Sequence, residues 1–286
     1  MYVSGLHFPL PEKTAPQRYV CGREMNGSMR KLMPVLAAAL LLTACSETSA
    51  GSSNELLISS ASSLTDVMLT AEKEFKKTHP EVELAFNFGS SSKLRNQIEQ
   101  GAPVDLFLSA SAKDMDRLEQ EGMVERQDIQ NFAENRLVLA SIEQLDETNP
   151  EKLLKNSGGV IAVGEPESVP VGFFTKEALS QSGLWESLKG KFIYAKDARQ
   201  VLSYIESGNA EMGVVYSSDA ELSSSIRTRI DLPQEGIEII YPAAVIEGAK
   251  NKEAAEVFLA FLSSEDGQKL LQEFGFLPVE GVNSDA

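Results

Sequence analysis

Residues 56–75 have the sequence LLISSASSLTDVMLTAEKEF. The apolar run Leu56–Ile58 is typical of a short buried strand, and five small residues follow it. Apolar side chains then recur with the spacing of a helix that buries one face, at Leu64, Val67, Met68, Ala71 and Phe75. The stretch therefore predicts a strand, a turn of small residues and an amphipathic helix.

The same order of strand, turn and helix recurs along the rest of the chain. Further strands are predicted at 82–88, 104–108, 136–140, 160–163, 192–194, 213–216 and 237–246. Further helices are predicted around 94–98, 115–118, 174–179, 201–205, 254–262 and 268–274. Strands separated by helices predict an α/β fold with mostly parallel sheets flanked by helices. Because single cores rarely grow beyond roughly 250 residues, two lobes are favoured over one.

Composition excludes several classes of protein. The chain has 286 residues with 42% hydrophobic and 24% charged residues, which is typical of a soluble globular protein. It carries 42 acidic and 26 basic residues, a formal net charge of −16. Nucleic-acid binding requires a basic face, so no nucleic-acid partner is expected. On charge alone, a small anionic ligand is disfavoured too.

The first 54 residues are expected to lie outside the folded domain. Residues 1–28 precede a more natural start at Met29 and are expected to be a non-native upstream extension. Residues 29–44 have the basic start and 13-residue apolar run of a signal peptide, too short for the roughly 20 residues of a membrane span. The run ends in LTAC, which resembles a lipobox and predicts lipidation of Cys45, with 45–54 as a flexible tether. An ordinary signal peptide or a buried apolar segment is the alternative.

Removal of residues 1–44 leaves 21 basic and 40 acidic residues, a net charge of −19. It also leaves one cysteine, Cys45, and one histidine, His79. A disulfide within this chain is therefore impossible, and a metal site made of cysteine and histidine is not expected.

Four predicted strands lead through turns of small or Pro-containing sequence into helices. The turns are 59–63, 89–92, 164–172 and 195–198. The first turn of a helix has unpaired N–H donors and a partial positive charge. Several such turns facing one crevice would bind an anion without a basic side chain. Ser63, Ser91 and Tyr216 could add hydroxyl donors. The structural alternative is that the serines are helix caps, Ser63 with Asp66 fitting a capping box, and that Tyr216 is a packed aromatic residue.

Five motifs carry a family resemblance. They are 61–65 (ASSLT), 90–92 (SSS), 101–107 (GAPVDLF), 163–172 (VGEPESVPVG) and 213–220 (GVVYSSDA). In this order they resemble the molybdate-binding proteins of bacterial ABC transporters, and the resemblance extends over Glu55–Pro278.

The resemblance implies a two-lobe type II periplasmic-binding-protein fold. Residues 55–136 and 240–286 would form lobe 1 and residues 137–239 lobe 2, with chain crossings near 135–137 and 238–241. Ser63 and Ser91 would each provide a hydroxyl and a backbone N–H, Val171 and Ala198 backbone N–H groups, and Tyr216 its hydroxyl. Ala198 departs from the valine that is usual in the family, which a backbone donor tolerates.

The implied function is extracytoplasmic capture of molybdate, and of tungstate with it, for delivery to an ABC permease and its ATPase. The protein would be a monomer anchored to the membrane through Cys45, with no enzymatic activity, no cofactor and no bare metal cation. A fully ionised tetrahedral dianion has only acceptors, so it suits a site built only of donors. Phosphate carries a proton near neutral pH, and in a site built only of donors that proton would have no acceptor. Sulfate has no such proton, so its rejection must depend on cavity size.

Three other functions compete with this interpretation. A serine hydrolase needs a base, and His79 lies in a polar KKTHP segment. Ser90 and Lys93 have a Ser-x-x-Lys spacing without its partner motifs. A binding lipoprotein for sulfate, thiosulfate, phosphate or a metal chelate would share the fold. A purely structural surface protein would explain the acidic helix faces but not the ordered donor-rich turns.

Overall fold

The computed structural model describes residues 55–279, in which strands and helices alternate as expected. The strands are β1 (Glu55–Ala61), β2 (Glu83–Gly89), β3 (Leu106–Leu108), β4 (Gln130–Asn135), β5 (Leu137–Ser141), β6 (Ile161–Gly164), β7 (Phe192–Ala195), β8 (Met212–Tyr216), β9 (Thr228–Asp231) and β10 (Ile239–Val245). The helices are α1 (Thr65–Phe75), α2 (Ser91–Glu99), α3 (Ala112–Gln120), α4 (Pro150–Asn156), α5 (Pro170–Gln181), α6 (Trp185–Leu188), α7 (Ala198–Glu206), α8 (Ser217–Leu222), α9 (Lys252–Ser263) and α10 (Glu265–Glu273). The predicted extension, signal peptide, tether and Cys45 lie outside the described residues.

The strands form two five-stranded sheets within this part of the chain. Their orders are β2-β1-β3-β10-β4 and β7-β6-β8-β5-β9. In each sheet four strands run in one direction, and one strand, β10 or β5, pairs antiparallel with both of its neighbours. The predicted α/β class with mostly parallel sheets is confirmed.

The chain passes between the sheets twice. Only Arg136 separates β4 of the first sheet from β5 of the second, and residues 232–238 lead back from β9 to β10. Asn135 at the end of β4 is paired with Ile239 at the start of β10, so the two crossings lie side by side. Strands β4 and β9 were not predicted, and neither were helices α4, α6 and α8. The two strands are sheet edges with mixed polar sequences, and the three helices are too short to show a periodic pattern.

A buried apolar core supports both sheets. Leu56 and Ile58 of β1 and the apolar face of α1 are almost fully buried, as the sequence predicts. Phe75 packs edge-on against Phe258 of α9, with ring centroids 5.1 Å apart. Burial of each such side chain stabilises the fold by about 1.5–3 kcal/mol. No helix within residues 55–279 is long and apolar enough to cross a membrane.

The GAPVDLF motif has a structural explanation. Asp105 precedes β3 and is buried, and its carboxylate accepts hydrogen bonds from the backbone N–H groups of Leu57, Lys250 and Asn251 at 2.8–3.1 Å. A buried carboxylate needs several donors to offset its lost hydration. By accepting these hydrogen bonds, Asp105 holds the segment between β10 and α9 against the first sheet.

Candidate functional site

The four predicted turns lie at the carboxyl ends of strands that are paired in register. Ala61 at the end of β1 lies opposite Gly89 at the end of β2, and Gly164 at the end of β6 lies opposite Ala195 at the end of β7. Parallel neighbouring strands end at the same edge of a sheet. Each sheet therefore places two donor-rich turns side by side.

These turns enclose one small cavity. It is lined by Ala61, Ser62, Ser63, Gly89, Ser90, Ser91, Ala110, Val169, Pro170, Val171, Ala198 and Tyr216. All five predicted site residues are in this lining, and none of the lining side chains carries a charge. The cavity volume is about 10 Å³, about the space that one water molecule needs. The cavity is therefore too small for an organic ligand, whose pockets measure roughly 300–1,000 Å³.

Ser91 lines the cavity, and its hydroxyl proton is available to a ligand. It is buried, and its Oγ accepts a hydrogen bond from the backbone N–H of Ala110 at 2.9 Å. That contact uses an acceptor position and leaves the hydroxyl proton free. Ser90, one residue earlier, is the cap of α2, where its Oγ accepts from the N–H of Lys93 at 3.3 Å.

Tyr216 ends strand β8 at the cavity. Its hydroxyl is fully buried and has no hydrogen-bond partner among the described residues. Burial raises the pKa of Tyr216 well above its ordinary value, and the nearby Tyr241 and Asp219 raise it further. The phenol therefore keeps its proton and remains a donor. A buried hydroxyl without a partner costs about 1–3 kcal/mol, which a bound acceptor would relieve.

Ser63 is not a capping residue. It lies in a 3₁₀ turn, Ser62–Leu64, and α1 begins at Thr65 without a side-chain cap. The Ser63 hydroxyl instead contacts the Tyr241 hydroxyl at 3.0 Å. The capping-box alternative is therefore wrong, because the 3₁₀ turn moves the start of the helix two residues past Ser63.

Three site residues lie in the first turn of a helix. Ser91 is the first residue of α2, Ala198 the first of α7 and Val171 the second of α5. Helix α5 begins at Pro170, four residues earlier than the sequence predicts, because proline suits the first helical position. First-turn N–H groups have no acceptor within their own helix, and each helix start carries a partial positive charge.

Among the described residues, two hydrogen bonds join the two sides of the cavity lining. The Ala198 N–H donates to Ser62 Oγ at 3.2 Å, and Ser90 Oγ donates to the Ser168 carbonyl at 2.7 Å. Outside the lining, Arg199 forms an ion pair with Asp66. An anion that uses the Ala198 N–H must share or displace its contact with Ser62.

Sequence reasoning missed several polar residues next to the cavity. Ser62 and Ser90 were visible within the serine runs, but nothing in the sequence marked Tyr241 or Asn135.

Asp219 is also buried, and its Oδ2 has no partner among the described residues. Burial raises the pKa of Asp219 to about 7, against the opposing effect of Arg199. Its negative charge is therefore partly suppressed at neutral pH.

The lining of the cavity contains no histidine, lysine or carboxylate side chain. His79 is not in its lining and stacks on Phe75 with ring centroids 4.4 Å apart. Ser90 Oγ is held by the Ser168 carbonyl and the Lys93 N–H, and the Lys93 side chain is exposed. Neither proposed base reaches a serine of the cavity.

Residues 56–277 match the family model described as bacterial extracellular solute-binding protein. A candidate ABC transporter substrate-binding lipoprotein from Bacillus subtilis, YvgL, is 35% identical and covers 84% of this chain and 95% of its own length. The molybdate-binding protein ModA of Haemophilus influenzae is 32% identical, covering 87% of this chain and 99% of its own. The solved substrate-binding domain of a candidate molybdenum ABC transporter from Clostridium difficile is 41% identical. It superimposes with a TM-score of 0.63 and covers 79% of this chain and 99% of that one.

Proposed function

The chain belongs to the family of bacterial extracellular solute-binding proteins, and from its molybdate-binding relatives and its cavity of hydrogen-bond donors we propose that it captures molybdate for an ABC transporter. Molybdate would be held between the two lobes of a type II periplasmic-binding-protein fold and delivered to a membrane permease and its ATPase. Tungstate, which has the same charge and nearly the same size, would be bound as well.

The observation that carries the proposal is a buried, uncharged cavity surrounded by hydrogen-bond donors. Helix starts provide N–H groups, and Ser91 and Tyr216 provide hydroxyl protons that no protein group accepts among the described residues. A tetrahedral dianion accepts at every oxygen, so it satisfies these donors without introducing a proton that needs an acceptor. The binding proteins named above support molybdate over sulfate, which has the same charge and shape.

We assign the ligand contacts to Ser63, Ser91, Val171, Ala198 and Tyr216. The serines would contribute hydroxyl and N–H groups, Val171 and Ala198 their N–H groups, and Tyr216 its hydroxyl. Lobe 1 would comprise residues 55–136 and 240–286, and lobe 2 residues 137–239. Since the cavity lining offers no base beside a serine, binding would proceed without a chemical reaction.

Titration calorimetry of the purified protein with molybdate, tungstate, sulfate and phosphate tests the proposal. Molybdate and tungstate are expected to bind tightly, and sulfate and phosphate at least about 100-fold more weakly, a difference of about 2.7 kcal/mol. Equal affinity for sulfate and molybdate would contradict the assignment of the ligand and favour a general binding protein for tetrahedral dianions, including thiosulfate.

We further propose that the mature protein is a monomer anchored outside the cytoplasm by lipid on Cys45. The motif ending in Cys45 and the name of the Bacillus subtilis relative support a lipoprotein. In a cell that processes this signal, Cys45→Ser should move the protein from the membrane fraction to the soluble fraction. Unchanged membrane attachment would contradict the anchor.

A further inference from the structure

A chain of buried polar groups lies behind the cavity and ends at Ser63. The Tyr241 hydroxyl contacts Ser63 Oγ at 3.0 Å, and Asn135 Nδ2 lies 3.4 Å from the Tyr241 hydroxyl and 2.8 Å from Ser218 Oγ. Asn135, Tyr241, Ser63 and Ser218 are all buried. This series of polar groups begins where the polypeptide crosses between the sheets, since Asn135 ends β4 and Tyr241 lies in β10.

The backbone sets the orientation of the Asn135 amide. Its Oδ1 accepts hydrogen bonds from the N–H groups of Arg136 at 2.9 Å and Ser218 at 3.5 Å. A flipped amide would place its NH₂ group against these two donors. The NH₂ group must therefore face Ser218 Oγ and Tyr241, to which it can only donate.

The orientation of Asn135 determines where the Tyr241 proton goes. The Tyr241 hydroxyl is within hydrogen-bond distance of Asn135 Nδ2 and Ser63 Oγ. The Tyr216 hydroxyl is close enough to influence the pKa of Tyr241, but its contacts do not meet hydrogen-bond geometry. Because Asn135 is a donor, the best-placed acceptor for the single proton of Tyr241 is Ser63 Oγ, at 3.0 Å. Burial raises the pKa of Tyr241 far above its ordinary value, so this proton is present at physiological pH.

We infer that Tyr241 is a positioning residue that holds Ser63 as a hydrogen-bond donor toward the bound oxyanion. Ser63 accepts from Tyr241, and its own proton is thereby directed into the cavity. The same arrangement exists at Ser91, which accepts from the Ala110 N–H. Each serine has one of its two acceptor positions occupied by a protein donor, which favours donation to the ligand over acceptance of a proton from an oxyanion such as hydrogen phosphate. The inference deepens the proposed function and rests on it.

A double-mutant cycle with Tyr241→Phe and Ser63→Ala tests this role by calorimetry with molybdate. Tyr241→Phe removes one oxygen and keeps the ring that packs against Phe276 at 5.4 Å. We expect the affinity for molybdate to fall about tenfold in the wild-type background and to stay unchanged in the Ser63→Ala background, because Tyr241 acts through Ser63. Tyr194→Phe, at an exposed tyrosine of β7, is the matched control and should bind as the wild type does.

Selectivity provides a second readout that general damage to the fold would not produce. With Tyr241→Phe, Ser63 can turn to accept a proton, so competition by hydrogen phosphate against molybdate should strengthen about tenfold relative to wild type. Equal losses of molybdate affinity in both backgrounds, or an unchanged phosphate-to-molybdate ratio, would overturn the inference. Failure of the unmodified protein to bind molybdate would instead contradict the proposed function.

Discussion

Replacing Ser91 by alanine is expected to lower the affinity for molybdate by about 100-fold or more. The variant loses a hydroxyl donor to a charged ligand, worth about 1.5–3 kcal/mol, and leaves the Ala110 N–H buried without its acceptor. Ser63→Ala should weaken binding by a similar factor, since Ser63 lines the same cavity and is equally buried. Calorimetry measures both effects, and circular dichroism checks that each variant is folded.

Ser92→Ala is the matched control for this experiment. Ser92 follows Ser91 in the first turn of α2, but its Oγ donates to Asp114 Oδ2 at 2.8 Å and it does not line the cavity. Its replacement should change the molybdate affinity less than about twofold, because the ligand loses no contact. Wild-type affinity in both Ser63→Ala and Ser91→Ala would show that the ligand-contact assignment is wrong.

Gly172→Ala is expected to lower the free energy of unfolding by about 3 kcal/mol or more. A Cβ at Gly172 would lie 2.2 Å from the carbonyl oxygen of Gly164 and 2.4 Å from its carbon. These are backbone atoms at the end of β6, so they cannot rotate away, and α5 would have to move off the second sheet. Its first turn carries Val171, so molybdate affinity should fall together with stability.

Denaturant unfolding measures the effect of Gly172→Ala, with Gly190→Ala as the control. A methyl group at Gly190 would meet no neighbouring atom within 4 Å, and the backbone there is not left-handed. The control substitution should therefore change the free energy of unfolding by less than about 0.5 kcal/mol. Equal stability of the two variants would contradict the close approach between α5 and β6.

The net charge of the chain does not decide which ligand the site can bind. The domain without residues 1–44 carries a net charge of −19, but the cavity lining has no charged side chain. Interactions between exposed charges are screened within about 8 Å at physiological salt. Hydrogen-bond donors act at contact distance, so a donor-lined cavity can hold a dianion inside an acidic protein. The excess of acidic residues still argues against a nucleic-acid partner, and that absence stays a prediction.

Much of the fold could be predicted because local patterns carry it. The apolar run of β1 and the periodicity of α1 lie within twenty residues of each other, and small residues mark the turn between them. The edge strands β4 and β9 escaped prediction because hydrogen bonds to a neighbouring strand, rather than an apolar run of their own, maintain them. The start of helix α5 was predicted too late, because Pro170 begins the helix before its apolar pattern becomes visible.

The sequence by itself determined the α/β class and the turns that carry the donors, and its resemblance to a known family supplied the five residues proposed to contact the ligand. Only the tertiary structure decided how those donors are oriented. Ser63 and Tyr241 are 178 residues apart, and Asn135 and Tyr241 are 106 apart. They meet because the chain crosses between the sheets twice and pairs β4 with β10. A hydroxyl can donate or accept, and its choice depends on such distant partners, which no local pattern in the sequence specifies.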